Sequence, residues 1–191
     1  MNQLIKDVPK ALSYVLAYAE EIGFEMAADL QTGSLLRTLV ASKPGSRVLE
    51  LGTGIGASLC WIVDGLDKDS QVISLDNNSK SISMVQDLLA NDSRVTLICE
   101  DAHEWINNYQ GSRFDVIFAD AWPGKYSQAP AVLDMLNPGG LYVVDDMNPQ
   151  PNWPKGHEKH VSILVEYLSS RSDLVVTQLN WSTGIIIAVK A

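Results

Sequence analysis

Short apolar runs alternate with amphipathic segments along most of the chain. The amphipathic segments have apolar residues at helical spacing, which predicts helices. The predicted strands are residues 47–51, 71–75, 94–98, 114–119 and 141–145, and the predicted helices lie near 57–66, 79–90, 101–109 and 126–136. Strands that are apolar on both faces and alternate with helices predict parallel βαβ units under helical cover.

The two ends of the chain depart from this alternation. Residues 1–43 are predicted to be mainly helical, because apolar residues recur there at helical spacing. After a helix near 157–170, the runs LVVTQLNW and GIIIAVK are separated only by Ser182 and Thr183. That link is too short for a crossover helix, so the two runs must form an antiparallel hairpin.

We therefore expect an α/β fold with a Rossmann-like, doubly wound sheet of seven strands. All strands but the last should be parallel, with helices on both faces. The length suits a single domain, residues 1–191, with N-terminal helices at 1–43 and the core at 44–191.

The charge and composition of the chain limit the kinds of ligand that it is expected to bind. The chain has 23 acidic and 14 basic residues, a net charge of −9, which disfavours nucleic acid and favours cationic ligands or metal ions. No apolar run approaches the roughly 20 residues that span a membrane. The first residues lack the pattern of a signal peptide. Cys60 and Cys99 are expected to be buried thiols, which fits a cytoplasmic protein.

Acidic residues stand at the end of five consecutive predicted strands. They are Glu50, Asp76, Glu100, Asp101, Asp120, Asp145 and Asp146. Any one of them could simply cap the next helix; Asp101 fits this well because Glu104 follows at capping-box spacing. Since ligands of open parallel sheets bind at the carboxyl ends of the strands, the series predicts a crevice for a hydroxyl-rich ligand, a cation or a divalent metal.

The segment RVLELGTGIGAS contains the glycine loop of a cofactor site. It satisfies the dinucleotide pattern, but it also reads E-x-G-x-G-x-G, and Glu50 would repel a pyrophosphate. A cofactor with a positive centre and no phosphate, such as S-adenosylmethionine, fits better. Its amine and ribose would be held by the acids, with Asp76 accepting both ribose hydroxyls. A tight turn that merely needs glycine is the structural alternative.

Five segments carry a family resemblance: VLELGTGIGAS, VISLD, EDA, FDVIFADAWPGKY and LNPGGLYVVDDM. They resemble the successive motifs of class I S-adenosylmethionine-dependent methyltransferases, especially the small catechol and caffeoyl-CoA type O-methyltransferases. The resemblance implies roles for the glycine loop and strand ends in cofactor binding. The implied contacts are Gly52, Thr53, Gly54, Gly56 and Ser58 for the methionine part, Asp76 and Asn77 for the ribose, Asp101, Ala102 and Trp105 for the adenine, and Asp120 near the sulfonium.

The resemblance also implies a divalent metal, Mg²⁺, Ca²⁺ or Mn²⁺, held by Asp120, Asp145 and Asp146. The chain departs from the family at two positions: Asp146 stands where an asparagine is usual, and Pro123 stands where the family has a lysine base. Lys125 could replace that base or could be a solvated loop lysine.

Other side chains near these motifs are further candidates. His157 is a second candidate base, and a His157–His160 metal site is the weaker interpretation of those two histidines. Trp122 and Trp153 could form walls for a flat substrate.

Four functions remain open. The leading hypothesis is a metal-assisted O-methyltransferase that acts on a small hydroxylated, aromatic or catechol-like molecule. The second is a metal-independent methyltransferase that uses His157 or Lys125 as base. A nicotinamide oxidoreductase is disfavoured by Glu50, and a cofactor-binding module without chemistry is the non-enzyme alternative. The N-terminal helices could cover the cofactor or form a homodimer.

Overall fold

The computed structural model describes residues 5, 7–89, 91–151 and 153–191. Its centre is a seven-stranded sheet in the order β3-β2-β1-β4-β5-β7-β6. The strands are β1 Arg47–Leu51, β2 Gln71–Asp76, β3 Val95–Cys99, β4 Phe114–Ala119, β5 Leu136–Val144, β6 Leu174–Leu179 and β7 Ile185–Lys190. Strand β7 runs antiparallel to both of its neighbours, and the other pairs are parallel. The predicted sheet and its reversed last strand are confirmed.

Eight helices are seen in the part of the chain that the structure describes. They are α1 Leu12–Ile22, α2 Leu30–Ala41, α3 Ala57–Gly65, α4 Ser79–Leu89, α5 Ala102–Asn108, α6 Trp122–Lys125, α7 Ala129–Asp134 and α8 His157–Ser170. The helix predicted near 126–136 is α7, which is shorter than predicted. The separate helix α6 precedes it and contains non-helical dihedral angles at Pro123 and Gly124. Residue 90, in the predicted helix 79–90, lies outside the described residues.

The sheet is buried on both faces, as its continuous apolar runs predict. In β4, Val116 and Phe118 pack on one face against α2 and α3, whereas Ile117 and Ala119 pack on the other against α5, α7 and α8. All four side chains are inaccessible to solvent. The loops that follow the strands are thereby held rigidly at one edge of the sheet, where a site can form.

Helix α2 packs onto α3 through the cluster that contains Val116, and α1 packs onto α3 through a third apolar cluster that contains Trp61. A Cβ atom at Gly33 would lie 2.2 Å from the Trp61 ring, so the absence of a side chain at Gly33 lets α2 approach α3 closely. Cys60 is buried in this cluster, but Cys99 is exposed, because β3 is an edge strand. The prediction for Cys99 was therefore wrong. Within the described ranges, no helix has the length and apolar character needed to cross a membrane.

Candidate active site

A cavity of about 620 Å³ opens at the carboxyl ends of the parallel strands. This volume falls within the roughly 300–1,000 Å³ of cofactor and substrate pockets. The lining comes from the glycine loop, the ends of β2, β4 and β5, the start of α8, and residues 24–29, which connect α1 to α2. The predicted position of the crevice is confirmed by this geometry.

The glycine loop brings bare backbone to the cavity. Gly52 and Gly54 line it, with φ angles of 101° and 51° in the left-handed region. A Cβ at Gly52 would lie 3.0 Å from the carbonyl oxygen of Asp120, so a side chain would crowd the adjacent strand end. Thr53 and Ser58 line a small adjoining space, and Gly56 lies against Val85. The loop therefore leaves its backbone close to any ligand in the cavity.

Glu50 lies beneath this loop rather than on the cavity surface. Its side chain is fully buried, and one carboxylate oxygen accepts a hydrogen bond from the Ser74 hydroxyl at 2.5 Å. The other oxygen has no hydrogen-bond partner among the described residues. Burial raises the pKa of Glu50 to about 7, although the hydroxyls of Ser58 and Ser74 oppose the rise. When it is ionised, Glu50 places a negative charge beneath the loop, which favours a cationic ligand in the cavity.

Asp76 and Asn77 lie where the cavity meets the end of β2. The Asp76 carboxylate accepts hydrogen bonds from the backbone N–H of Gly54 at 2.8 Å and of Asn78 at 2.9 Å. Each carboxylate oxygen retains a second acceptor position. Asp76 is therefore fixed against the glycine loop and can still accept hydrogen bonds from a ligand's hydroxyl groups.

Residues predicted to contact an adenine are less exposed to the cavity. Asp101 caps α5 by accepting hydrogen bonds from the backbone N–H of His103 and Glu104, as the capping interpretation predicts. Ala102 and Trp105 are buried in the core, and Trp105 stacks on Tyr109 at 4.5 Å between ring centroids. In the described part of the chain, none of these three residues lines the cavity. Their roles toward the cofactor stay predictions.

The Lys125 side chain reaches the site, although Lys125 lies two residues after Pro123, the position at which the family has a lysine. Its side chain is buried and lines the cavity, with Nζ 3.7 Å from Oδ1 of Asp120. The solvated-loop alternative for Lys125 was therefore wrong. Burial raises the pKa of Asp120 to about 8, and the positive charge of Lys125 opposes that rise.

The other two predicted metal ligands, Asp145 and Asp146, also line the cavity. One oxygen of Asp145 accepts hydrogen bonds from the Thr183 hydroxyl and from the backbone N–H of Asp146. Burial raises the pKa of Asp145 to about 6. Across the described ranges, no three acidic, histidine or cysteine side chains are grouped closely enough to hold a metal ion. Lys125 adds a positive charge beside Asp120, and the metal ion stays a prediction.

Aromatic side chains form another part of the cavity wall. The cavity is lined there by Trp122, Tyr126, Trp153 and His157. Nε2 of His157 lies 3.0 Å from the Tyr126 hydroxyl, and its ring lies 4.6 Å from that of Trp153. Burial and the nearby charges of Lys125 and His160 lower the pKa of His157. His160 packs against Trp122 at 4.7 Å between ring centroids.

Comparison with known proteins identifies the family. A model described as a methyltransferase domain matches residues 49–147, which is more than half of the chain. The chain belongs to the methyltransferase domain family. The matched region contains the glycine loop, Asp76, Asp120 and Lys125, so most of the cavity lies within it.

Curated relatives extend this family assignment. A relative from Mycobacterium avium (strain 104) is 29% identical over 140 residues, which cover 68% of this chain and 62% of the relative. The protein named "Probable O-methyltransferase Rv1220c" from Mycobacterium tuberculosis H37Rv is 29% identical over 138 residues, with the same coverage. The match spans less than two thirds of the length of these relatives.

Solved structures confirm the methyltransferase fold. The O-methyltransferase TomG from Streptomyces achromogenes, solved in complex with S-adenosylmethionine, superposes with a TM-score of 0.84 at 23% identity and covers 100% of this chain and 93% of its own. An O-methyltransferase from Bacillus cereus, solved with S-adenosylhomocysteine, gives 0.82 at 21% identity and covers 100% and 94%. At these identities the likeness shows the fold, and the predicted resemblance is confirmed.

Three parts of this cavity were missed in the sequence. The segment 24–29 lines the cavity, and Asp29 within it caps α2 and accepts a hydrogen bond from Ser182. Asp29 directly before the apolar start of α2 is a recognisable N-cap signal, but nothing local places it over the sheet. Tyr126 and Thr183 are likewise brought to the cavity only by tertiary packing.

Proposed function

We propose that this protein transfers a methyl group from S-adenosylmethionine to an oxygen atom of a small, flat, hydroxylated acceptor. One observation carries the proposal: a single cavity joins the glycine loop and Asp76 to the aromatic wall beside Lys125. Two structural neighbours, TomG and the Bacillus cereus protein, are O-methyltransferases, and a relative from Mycobacterium tuberculosis carries the same name, which supports this chemistry.

The cofactor end suits an adenosine that carries a positive centre. In this proposal Asp76 accepts hydrogen bonds from the ribose hydroxyls, and the negative charge of Glu50, buried beneath the glycine loop, attracts the cofactor's positive centre. A dinucleotide fits poorly, because the acidic lining would repel its pyrophosphate. When bound, S-adenosylmethionine supplies a methyl group on a sulfonium, which leaves as a neutral thioether.

The acceptor end orients the attacking oxygen. Trp122 and Trp153 are placed to hold a flat ring, which restricts its orientation toward the cofactor end. The O–CH₃ bond forms as the S–CH₃ bond breaks, and the acceptor's hydroxyl proton must be removed. A protonated Lys125 stabilises the developing oxyanion while His157 receives the hydroxyl proton; in the alternative, a neutral Lys125 amine receives that proton itself.

A metal-independent mechanism is proposed because Lys125 already supplies a positive charge beside Asp120. Turnover with 4-methylcatechol or another member of a catechol and phenol panel should therefore be unchanged in excess EDTA, as measured by S-adenosylhomocysteine release. Loss of turnover with EDTA and its recovery with Mg²⁺ would instead support the metal ion predicted at Asp120, Asp145 and Asp146. Untreated enzyme and enzyme given EDTA with excess Mg²⁺ are the controls.

Calorimetric titration tests the cofactor assignment. S-adenosylhomocysteine should bind, and NADH should give no signal. Asp76→Ala should weaken the binding of S-adenosylhomocysteine by about 1.5–3 kcal/mol, the range for losing charge-assisted hydrogen bonds. Asp69→Ala, at an exposed loop position, is the matched control. The proposal would be overturned if the protein bound NADH and did not bind S-adenosylhomocysteine. If Asp76→Ala bound S-adenosylhomocysteine with unchanged affinity but had reduced thermal stability, Asp76 would be a structural residue.

A further inference from the structure

The turn that carries Lys125 has an unusual backbone. Pro123 has φ −67° and ψ 135°, and Gly124 has φ 88° and ψ −16°, which are the central angles of a type II turn. A Cβ at Gly124 would lie 2.3 Å from Cδ1 of Leu51, so both the dihedral angles and the packing require glycine. The turn reverses the chain directly before Lys125 and so returns that side chain toward the sheet.

One side chain from the sheet fixes this turn from below. Tyr142 lies within β5, is completely buried, and donates its hydroxyl hydrogen to the Gly124 carbonyl oxygen at 2.5 Å. Burial raises the pKa of Tyr142 above its usual range, so the hydroxyl remains a donor at neutral pH. Strand β5 pairs with β4 and β7 on its two sides, which makes the position of this hydroxyl rigid.

A second contact closes the turn from within. The backbone N–H of Gly124 donates to the carbonyl oxygen of Ser127 at 2.7 Å, and the N–H of Tyr126 donates to that of Trp122 at 3.0 Å. The N–H of Gly124 is thus hydrogen-bonded within the turn, and the carbonyl oxygen of Gly124 is hydrogen-bonded to Tyr142. The bond to Tyr142 joins the turn to the sheet.

We propose that Tyr142 is a positioning residue, which holds the Pro123–Gly124 turn so that the Lys125 amine stays buried beside Asp120. The consequence for methyl transfer rests on the proposed function, because it requires the Lys125 charge at the acceptor oxygen. The positioning itself does not require any activity. The two statements can therefore fail separately.

Accessibility of the Lys125 amine tests the positioning directly. Full-length protein is treated briefly with N-hydroxysuccinimide acetate, and acetylation of each lysine is followed by peptide mass spectrometry. Lys68, which is 87% exposed, is the internal reference. Lys125 should react much more slowly than Lys68 in the wild type. Tyr142→Phe should speed Lys125 acetylation about tenfold, the factor expected when one buried hydrogen bond is lost from a local opening.

Two further variants make the result decisive. Tyr109→Phe is the matched control, because it removes a half-buried tyrosine hydroxyl that donates to the carbonyl oxygen of Ser112, in the connection between α5 and β4; it should leave Lys125 acetylation unchanged. Pro123→Gly loosens the same turn without removing a core side chain, and it should speed the reaction if Tyr142→Phe does not fold. Unchanged Lys125 acetylation in a folded Tyr142→Phe or, failing that, in Pro123→Gly would overturn the inference.

A double-mutant cycle then connects positioning to turnover. With 4-methylcatechol as the probe, Tyr142→Phe should lower kcat in the wild type and should have no further effect in a Lys125→Met background. Equal losses in both backgrounds would show that Tyr142 acts independently of Lys125 and would overturn the link to catalysis. If Tyr142→Phe speeds Lys125 acetylation but the wild-type protein transfers no methyl group, the proposed function is contradicted and the positioning role of Tyr142 stands.

Discussion

Replacing Lys125 with methionine should lower kcat about 10²- to 10³-fold, the range for losing a group that stabilises developing charge or moves a proton. The buried amine lies 3.7 Å from Asp120 and lines the acceptor end of the cavity, so methionine fills the same space without the charge. The affinity for S-adenosylhomocysteine should be nearly unchanged, because the predicted cofactor contacts lie mainly at the ends of β1, β2 and β3. Steady-state kinetics and calorimetry measure the two effects separately.

Two control variants define what Lys125 contributes. Lys125→Arg keeps the charge and should retain more turnover than Lys125→Met if charge stabilisation dominates; equal losses would favour proton transfer by the amine. Lys68→Met removes an exposed lysine that is 87% accessible, and it should leave kcat unchanged. A Lys125→Met enzyme with full turnover would exclude Lys125 from the reaction, and His157→Gln would then test the alternative base.

Most of the fold could be predicted from the sequence because its signals are local and repeated. Buried parallel strands appear as continuous apolar runs, and the short link between β6 and β7 permits only a hairpin. The same reasoning located the cavity, because acids at successive strand ends must lie along one edge of the sheet. These inferences need only strand direction, which the alternation with helices supplies.

The region between β4 and β5 was predicted less well because tertiary contacts decide it. The segment LNPGGL contains turn-forming residues, yet β5 begins at Leu136, which pairs with Phe114. The register shifts between Phe114 and Val116, and Gly139 adopts φ 76°, as expected for an irregularity that bends a strand. Regular pairing resumes at Leu141, which is where the apolar run suggested that the strand begins.

The position of Lys125 illustrates the limit for the site. Spacing alone left it two residues from the expected base. Its burial depends on the Pro123–Gly124 turn, on space next to Leu51 and on the hydroxyl of Tyr142, which lies 18 residues from Gly124 in sequence. No local pattern encodes that combination. The segment 24–29 was missed for the same reason, since its place over the cavity depends on the packing of α1 and α2.

The burial of the Glu50 carboxylate should lower the free energy of unfolding. Burial raises its pKa from 4.5 to about 7, so between these values the native state keeps a proton that the unfolded state has released. The Glu50 contribution to stability is therefore greatest below pH 4.5. It decreases as the pH rises toward 7 and then stays constant. At about 1.4 kcal/mol per pKa unit, the total decrease is about 3 kcal/mol.

Glu50→Gln should remove this pH dependence. Glutamine stays neutral and keeps the shape of the side chain, so the ligand-free variant should gain up to about 3 kcal/mol of unfolding free energy above pH 7 and little below pH 4.5. Urea unfolding at pH 4.5 and pH 8 measures the difference, and the exposed Glu21→Gln controls for the change in net charge. The same variant should bind S-adenosylmethionine more weakly, because the buried negative charge of Glu50 is proposed to attract the cofactor's positive centre. A variant that is no more stable at pH 8, or that binds the cofactor as tightly as the wild type, would contradict the respective half of this argument.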